Sequence, residues 1–214
     1  IAFTPERRAP AGPARDRELV VLDSMWLTKA FASLISLKTS FIRDGTLPAS
    51  ALPHVWAGYA PDAVPFLLAL FERYELLYQA PDGQLVVPLL LRDARPAAHD
   101  LEAARAASDA ASEVVRIYTW DFLPVGFFAR WMVKAIGLGY RPALVWRTGL
   151  LGADGAAWLL AEADLREPSL RLAVRGPQAA EALLRLHGEL AALMHEWAKL
   201  QPKALFVGCP HCAN

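Results

Sequence analysis

The chain of 214 residues carries 22 Lys and Arg against 22 Asp and Glu, for a formal net charge of +0 and a pI of about 7.1. That balance supplies no electrostatic footprint for nucleic acid or an anionic membrane, and two cysteines are too few for a disulfide framework. At 55% hydrophobic residues the chain can bury one large core or two small ones, but Pro61, Asp62 and Pro65, or Arg147 and Asp154, break its most apolar windows well short of the ~20 residues of a transmembrane helix.

A chain that opens on Ile1 instead of Met is expected to be a segment of a longer protein, so an upstream targeting peptide stays open. The cysteine usage favours a reducing compartment, and the cytoplasm is the expected location. Residues 1–18, with Pro5, Pro10, Pro13 and several Arg, read as a linker.

Asp23 or Ser24 fits the N-cap of a helix whose apolar face is Leu27, Ala30, Phe31, Leu34 and Ile35. Asp44-Gly45 marks a turn, and residues 48–56 can form a short second helix. Asp62 is placed to cap a third, with Pro65 in its first turn and Leu67, Leu70, Phe71 and Tyr74 on one face. Two β-capable runs, residues 76–79 and 85–89, flank Ala80-Pro81-Asp82-Gly83, a hairpin signal. Three helices and then a hairpin is the order of a winged helix, and residues 19–95 are read as a winged-helix-like subdomain. A DNA-binding regulator is one alternative that this order raises. Asp62, Glu72 and Glu75 against a lone Arg73 on the third helix and its end argue against it, because a recognition helix needs cationic and amide side chains. No nucleic-acid partner is expected.

Residues 96–112 are rich in Ala, Asp, Glu and Arg and have no stripe of large apolar residues, which suggests a flexible or loosely helical connector. Residues 117–136, IYTWDFLPVGFFARWMVKAI, then give a strand, a turn with Pro124 expected in the first helical turn, and a helix. Phe127, Phe128, Trp131, Met132, Ala135 and Ile136 share one helical face, while Arg130 and Lys134 point elsewhere. That face packs either on a sheet or on a partner, and Phe127, Phe128, Trp131 and Met132 are its candidate interface residues. Three β-like runs follow at residues 143–151, 156–163 and 169–175; loops this short demand antiparallel neighbours. The last helix, about 176–201, places Leu183, Leu186, Leu190, Leu193, Trp197 and Leu200 at alternating spacings of three and four. This seam fits packing across the sheet or a dimer contact, with Trp197 as a further interface candidate. Residues 205–207 form a final short strand. The chain is therefore expected to be α+β, with a C-terminal antiparallel sheet and two packed helices over residues 113–214.

Cys209-Pro210-His211-Cys212 is the one stretch with evident chemistry. It reads as an inert pair of thiols, as half of a zinc site through Cys209 and Cys212, or as a thiol-disulfide oxidoreductase motif. The redox reading lacks the helix that would follow the first Cys and stabilise its thiolate. No phosphate loop, H-E-x-x-H or G-x-S-x-G occurs, and no catalytic residue is assigned.

The stretch FLPVGFFARWMVKAI is similar to the C-terminal half of the COR domain of Roco proteins. Residues 21–56 resemble the start of that domain, a Trp-containing helix followed by Lys38, Asp44, Gly45 and Leu47 in a K-x-x-x-x-x-D-G-x-L segment. The resemblance covers residues 19–212 and extends to the Cys-x-x-Cys near the end. It implies a non-catalytic module that regulates an adjacent Roc GTPase domain in cis and forms a homodimer through its C-terminal half. GTP or GDP with Mg would belong to that adjacent domain, with no cofactor in this segment unless Cys209 and Cys212 take zinc. The parent protein would be a GTPase, with an attached kinase as a further expectation.

Overall fold

Asp23 starts the first helix in the computed structural model, which describes residues 23–36, 42–105, 113–197 and 200–207. Its carboxylate accepts a hydrogen bond from the Met25 N–H at 2.9 Å, satisfying one of the donors that a helix N-terminus leaves free. Helix α1 (Ser24–Ile35) buries Ala30 and Leu34 and packs Leu27, Phe31 and Ile35 around them, as the spacing predicts. Then come β1 (Thr46–Pro48), a 3-10 turn (Ala49–Ala51), α2 (Leu52–Val55), α3 (Ala63–Arg73), β2 (Tyr78–Gln79) and β3 (Gln84–Val86). The strands form an antiparallel sheet in the order β1-β3-β2. Its hairpin turns at Gly83, with φ +82°, and the Asp82 carboxylate accepts the Gln84 N–H at 3.0 Å. Trp56 anchors this half: its indole N–H donates to the Ala30 carbonyl at 3.0 Å, and its ring meets Phe71 edge-on at 5.6 Å.

Two expectations for α3 need correcting. Its buried residues are Leu67 and Phe71, with Val64 and Leu68 packed beside them, while Tyr74 is exposed. Tyr74 is the C-cap, its N–H still bonded to the Leu70 carbonyl at 3.0 Å, and its side chain falls outside the face centred on Leu67 and Phe71. Asp62 stands at the N-cap position in a helical conformation and makes no capping bond with its side chain.

Gly45 is required by its backbone. Its φ is +79°, and a Cβ there would lie 2.7 Å from the Leu91 amide nitrogen and 2.9 Å from the Leu90 carbonyl carbon. Gly45→Ala is expected to cost about 1–2 kcal/mol from the left-handed conformation and this backbone clash, read as a lower urea midpoint with an unchanged m-value.

Part of the connector is helical, and its residues 106–112 lie outside the described residues. Residues Ala98–Arg105 form α4, and Leu101 is buried with Trp146, Leu151, Leu160 and Ala173. One leucine is enough to dock a short Ala-rich helix that has no stripe. Next comes β4 (Glu113–Thr119), and then α5 (Phe127–Gly137), which begins after Gly126 at φ +86°. Pro124 therefore lies in the turn before α5 and not in its first turn.

The single β-like run expected at residues 143–151 is two strands, β5 (Arg141–Trp146) and β6 (Gly149–Ala153), turning at Arg147 and Thr148. The Trp146 ring folds over Gly149, where a Cβ would stand 1.8 Å from it, so glycine is what lets the ring lie there. After β7 (Trp158–Asp164), β8 (Ser169–Arg175), α6 (Ala179–Glu196) and β9 (Ala204–Val207), the sheet reads β5-β6-β7-β8-β4-β9, antiparallel throughout. Its strands alternate with period two. Tyr118, Leu159, Ala161, Leu170, Leu172 and Val174 face α5 and α6, whereas Leu151, Leu160 and Ala173 face α4. The fold is α+β, and among the described residues no helix is long and apolar enough to cross a membrane.

Candidate interaction surface

Side chains from both halves of the chain fill one core. Tyr78, Val86 and Leu91 of the N-terminal half are buried with Tyr118, Phe127, Phe128, Trp131 and Met132 of the C-terminal half. Contacts of this kind tie the halves without charge, and a cluster of ions lies over them.

Glu75 is the centre of that cluster. The chain reverses after α3 with Glu75 in the left-handed region, φ +58°, and the Leu76 N–H returning to the Phe71 carbonyl at 2.9 Å. This turn aims the Glu75 carboxylate at α5. There it accepts hydrogen bonds from Arg130 Nε at 2.9 Å and Nη2 at 2.6 Å, and pairs with Lys134 Nζ at 2.8 Å. Glu196 of α6 accepts a hydrogen bond from the same Arg130 Nη2 at 2.8 Å, and Glu189 lies 3.7 Å from Lys134. Burial alone would lower the pKa of Arg130 and of Lys134, but bonds to Glu75, with Glu196 adding to both, hold the two above their ordinary values. Three elements, α5, α6 and the turn after α3, are thus joined by one ionic network.

Sequence reading missed this network, since Arg130 and Glu75 are 55 positions apart. The available signal was the i,i+4 pair of cations on the polar side of α5, opposite the acids Glu189 and Glu196 on one side of α6.

The candidate interface residues divide. Phe127, Trp131 and Met132 are fully buried and Phe128 nearly so, all within the chain's own core. Their helical face packs on the sheet and α6, the first of the two roles that its spacing allows. The α6 seam behaves likewise, with Leu183, Leu186, Leu190 and Leu193 buried. Trp197 alone of the five reaches the surface. It meets Phe127 edge-on at 5.9 Å and lines a shallow groove with Phe122, Pro124, Arg130, Glu196 and Leu200. Phe122 and Val125 beside it are 65% and 86% exposed. Cys209 and Cys212 lie outside the described residues; among the described residues no group of three or more His, Cys, Asp or Glu could hold a metal ion.

Tyr118 and His187 form a separate polar pair between β4 and α6, with Tyr118 OH 2.9 Å from His187 Nδ1 and the rings stacked. Burial, and then the nearby Arg116 charge, hold the His187 pKa below its ordinary value. The folded state therefore binds this proton more weakly than the unfolded chain. Its contribution to stability is complete above the ordinary histidine value and falls away as pH drops below it. A Tm that declines more steeply below about pH 6.5 in the wild type than in His187→Gln is the expected result; parallel declines would contradict it.

Two family models match the chain in succession: "C-terminal of Roc, COR-A domain" over residues 14–91 and "C-terminal of Roc, COR-B domain" over residues 111–214. Curated relatives come from Dictyostelium discoideum. "Probable serine/threonine-protein kinase roco7" is 32% identical over 92% of this chain, and "Probable serine/threonine-protein kinase pats1" is 29% identical over 92%. The chain spans only 8% and 6% of their respective lengths. Among solved structures, a transcriptional regulator of the IclR family from Rhodococcus sp. aligns with 86% of this chain and 96% of its own at 12% identity, with a TM-score of 0.26, too low to carry an argument.

Proposed function

Since this chain belongs to the COR (C-terminal of Roc) domain family of Roco proteins, as a COR-A unit followed by a COR-B unit, we propose that it is a non-catalytic regulatory and dimerisation module. Its partner in cis is a Roc GTPase domain holding GTP or GDP with Mg. The protein works in the cytoplasm, within a longer signalling chain that pairs this module with a GTPase and a kinase. The COR-A unit, whose order of helix, strand, two helices and hairpin fits a winged helix, packs on the Roc domain, and the COR-B unit joins two copies.

The succession of the two COR matches is the observation that carries this reading. Support comes from the seam. A regulatory module has to pass a displacement of one half to the other, and a shared core with an ionic network across it makes the halves move as one body. Nucleotide state then needs only a few kcal/mol of differential contact to shift the assembly. Sedimentation equilibrium on the purified chain tests the dimer. A mass near twice 23.4 kDa at micromolar concentration is expected, and a monomer throughout that range would refute it.

A further inference from the structure

The two edges of the six-stranded sheet are built differently. At one edge β5 begins with Arg141 and Pro142, its pairing with β6 shifts register between Pro142 and Leu144, and α4 packs against it. A charge, a proline, a bulge and a covering helix are the devices that stop a sheet from growing. At the other edge β9 reads Ala204-Leu205-Phe206-Val207, with no charge and no proline, and among the described residues no strand pairs with its outer side. Opposite residues share a face, so the β4–β9 register places Leu205 and Val207 on the helix side and Phe206 on the α4 side. All three are about half exposed or more. The flanking charges, Lys203 and Asp121, neutralise each other at 2.8 Å.

We propose that β9 is the edge through which two copies of this chain join, strand β9 pairing antiparallel with its own equivalent to make one continuous sheet. This rests on the dimerisation reading above and names its contact. A second copy is the occupant favoured by the asymmetry of the edges. One open and one guarded edge permit only a head-to-head pairing, which closes at two copies and cannot run on into a filament. The lack of uncompensated charge along β9 removes the like-charge repulsion that two identical strands would otherwise meet.

The test compares the full chain with Phe206→Lys and Val207→Lys by sedimentation, with Leu184→Lys, at an exposed leucine of α6, as control. Circular dichroism melts establish that each variant is folded. A dimer dissociation constant raised at least tenfold by either β9 change, with Leu184→Lys unaltered, is expected. Hydrogen exchange gives an arm that needs no variant: the β9 amides that are not bonded to β4 should be protected in the dimer and lose that protection on dilution. A wild-type dimer that the β9 variants leave intact would overturn the edge contact and keep dimerisation. Protection of those outward amides in the diluted monomer would show that another part of the chain covers the edge, and would also overturn it. A wild-type monomer would remove the dimerisation reading itself.

Discussion

Trp131→Ala is expected to destabilise the chain by about 3–5 kcal/mol, the range for truncating a large aromatic in a closed core. Trp131 is fully buried where the halves meet; Phe128 stacks on it at 5.8 Å, and Met132 and Ala135 pack in the same core. Loss of the indole opens a cavity that α5 could close only by shifting toward the sheet, and the ion pairs of Arg130 and Lys134 with Glu75 resist that shift. A fall in the urea midpoint with an unchanged m-value would register the loss. Trp131→Phe should cost less than half as much. It keeps most of the ring contacts and discards an indole N–H that has no hydrogen-bond partner among the described residues. If Trp131→Ala left the midpoint within error and abolished dimerisation instead, Trp131 would be an interface residue and its place in the core would be wrong.

Glu75→Ala is expected to cost about 2–3 kcal/mol, the loss from removing a charged hydrogen-bond acceptor shared by two cations. The side chains of Glu75, Lys134 and Arg130 are 17%, 15% and 25% exposed, so water only partly replaces the missing carboxylate. Arg130 keeps Glu196, but Lys134 is left with acids at 3.7 and 3.9 Å. Glu75→Gly separates charge from backbone: it also lacks the carboxylate, yet it relieves a residue held at φ +58°, and should be about 1 kcal/mol less damaging than alanine. A double-mutant cycle of Glu75→Ala with Arg130→Ala should show coupling of about 1–2 kcal/mol. A coupling near zero would mean that the network is a surface ornament and that the apolar seam alone unites the halves.

How much of this was legible in the sequence varies with how local the signal is. The α1 cap at Asp23, the Asp82-Gly83 turn and the apolar face of α5 each depend on residues within about one helical turn of one another, and each was readable. The hairpin between β5 and β6 was hidden because Trp146 and Gly149 look like an unbroken β-run until the ring is seen lying over the glycine. The docking of α4 by Leu101 was also hidden, since its partners Trp146, Leu151 and Leu160 come from strands 45 or more positions on. Glu75 is the plainest case. Its importance arises from a turn at one end of the N-terminal half meeting a helix of the C-terminal half, and nothing in the residues around it announces a partner on α5. The aromatic face of α5 allowed both a core and an interface role from spacing alone, and only the position of the sheet decides between them.

The regulatory reading rests on nucleotide state reaching the dimer through these two halves. The measurement that tests it most directly is the dimer dissociation constant of this module joined to its Roc domain, taken with GDP and with a non-hydrolysable GTP analogue. Constants that differ by at least tenfold, about 1.4 kcal/mol, are expected, with a smaller difference in Glu75→Ala, where the halves are less firmly joined. Equal constants for the two nucleotides would contradict it.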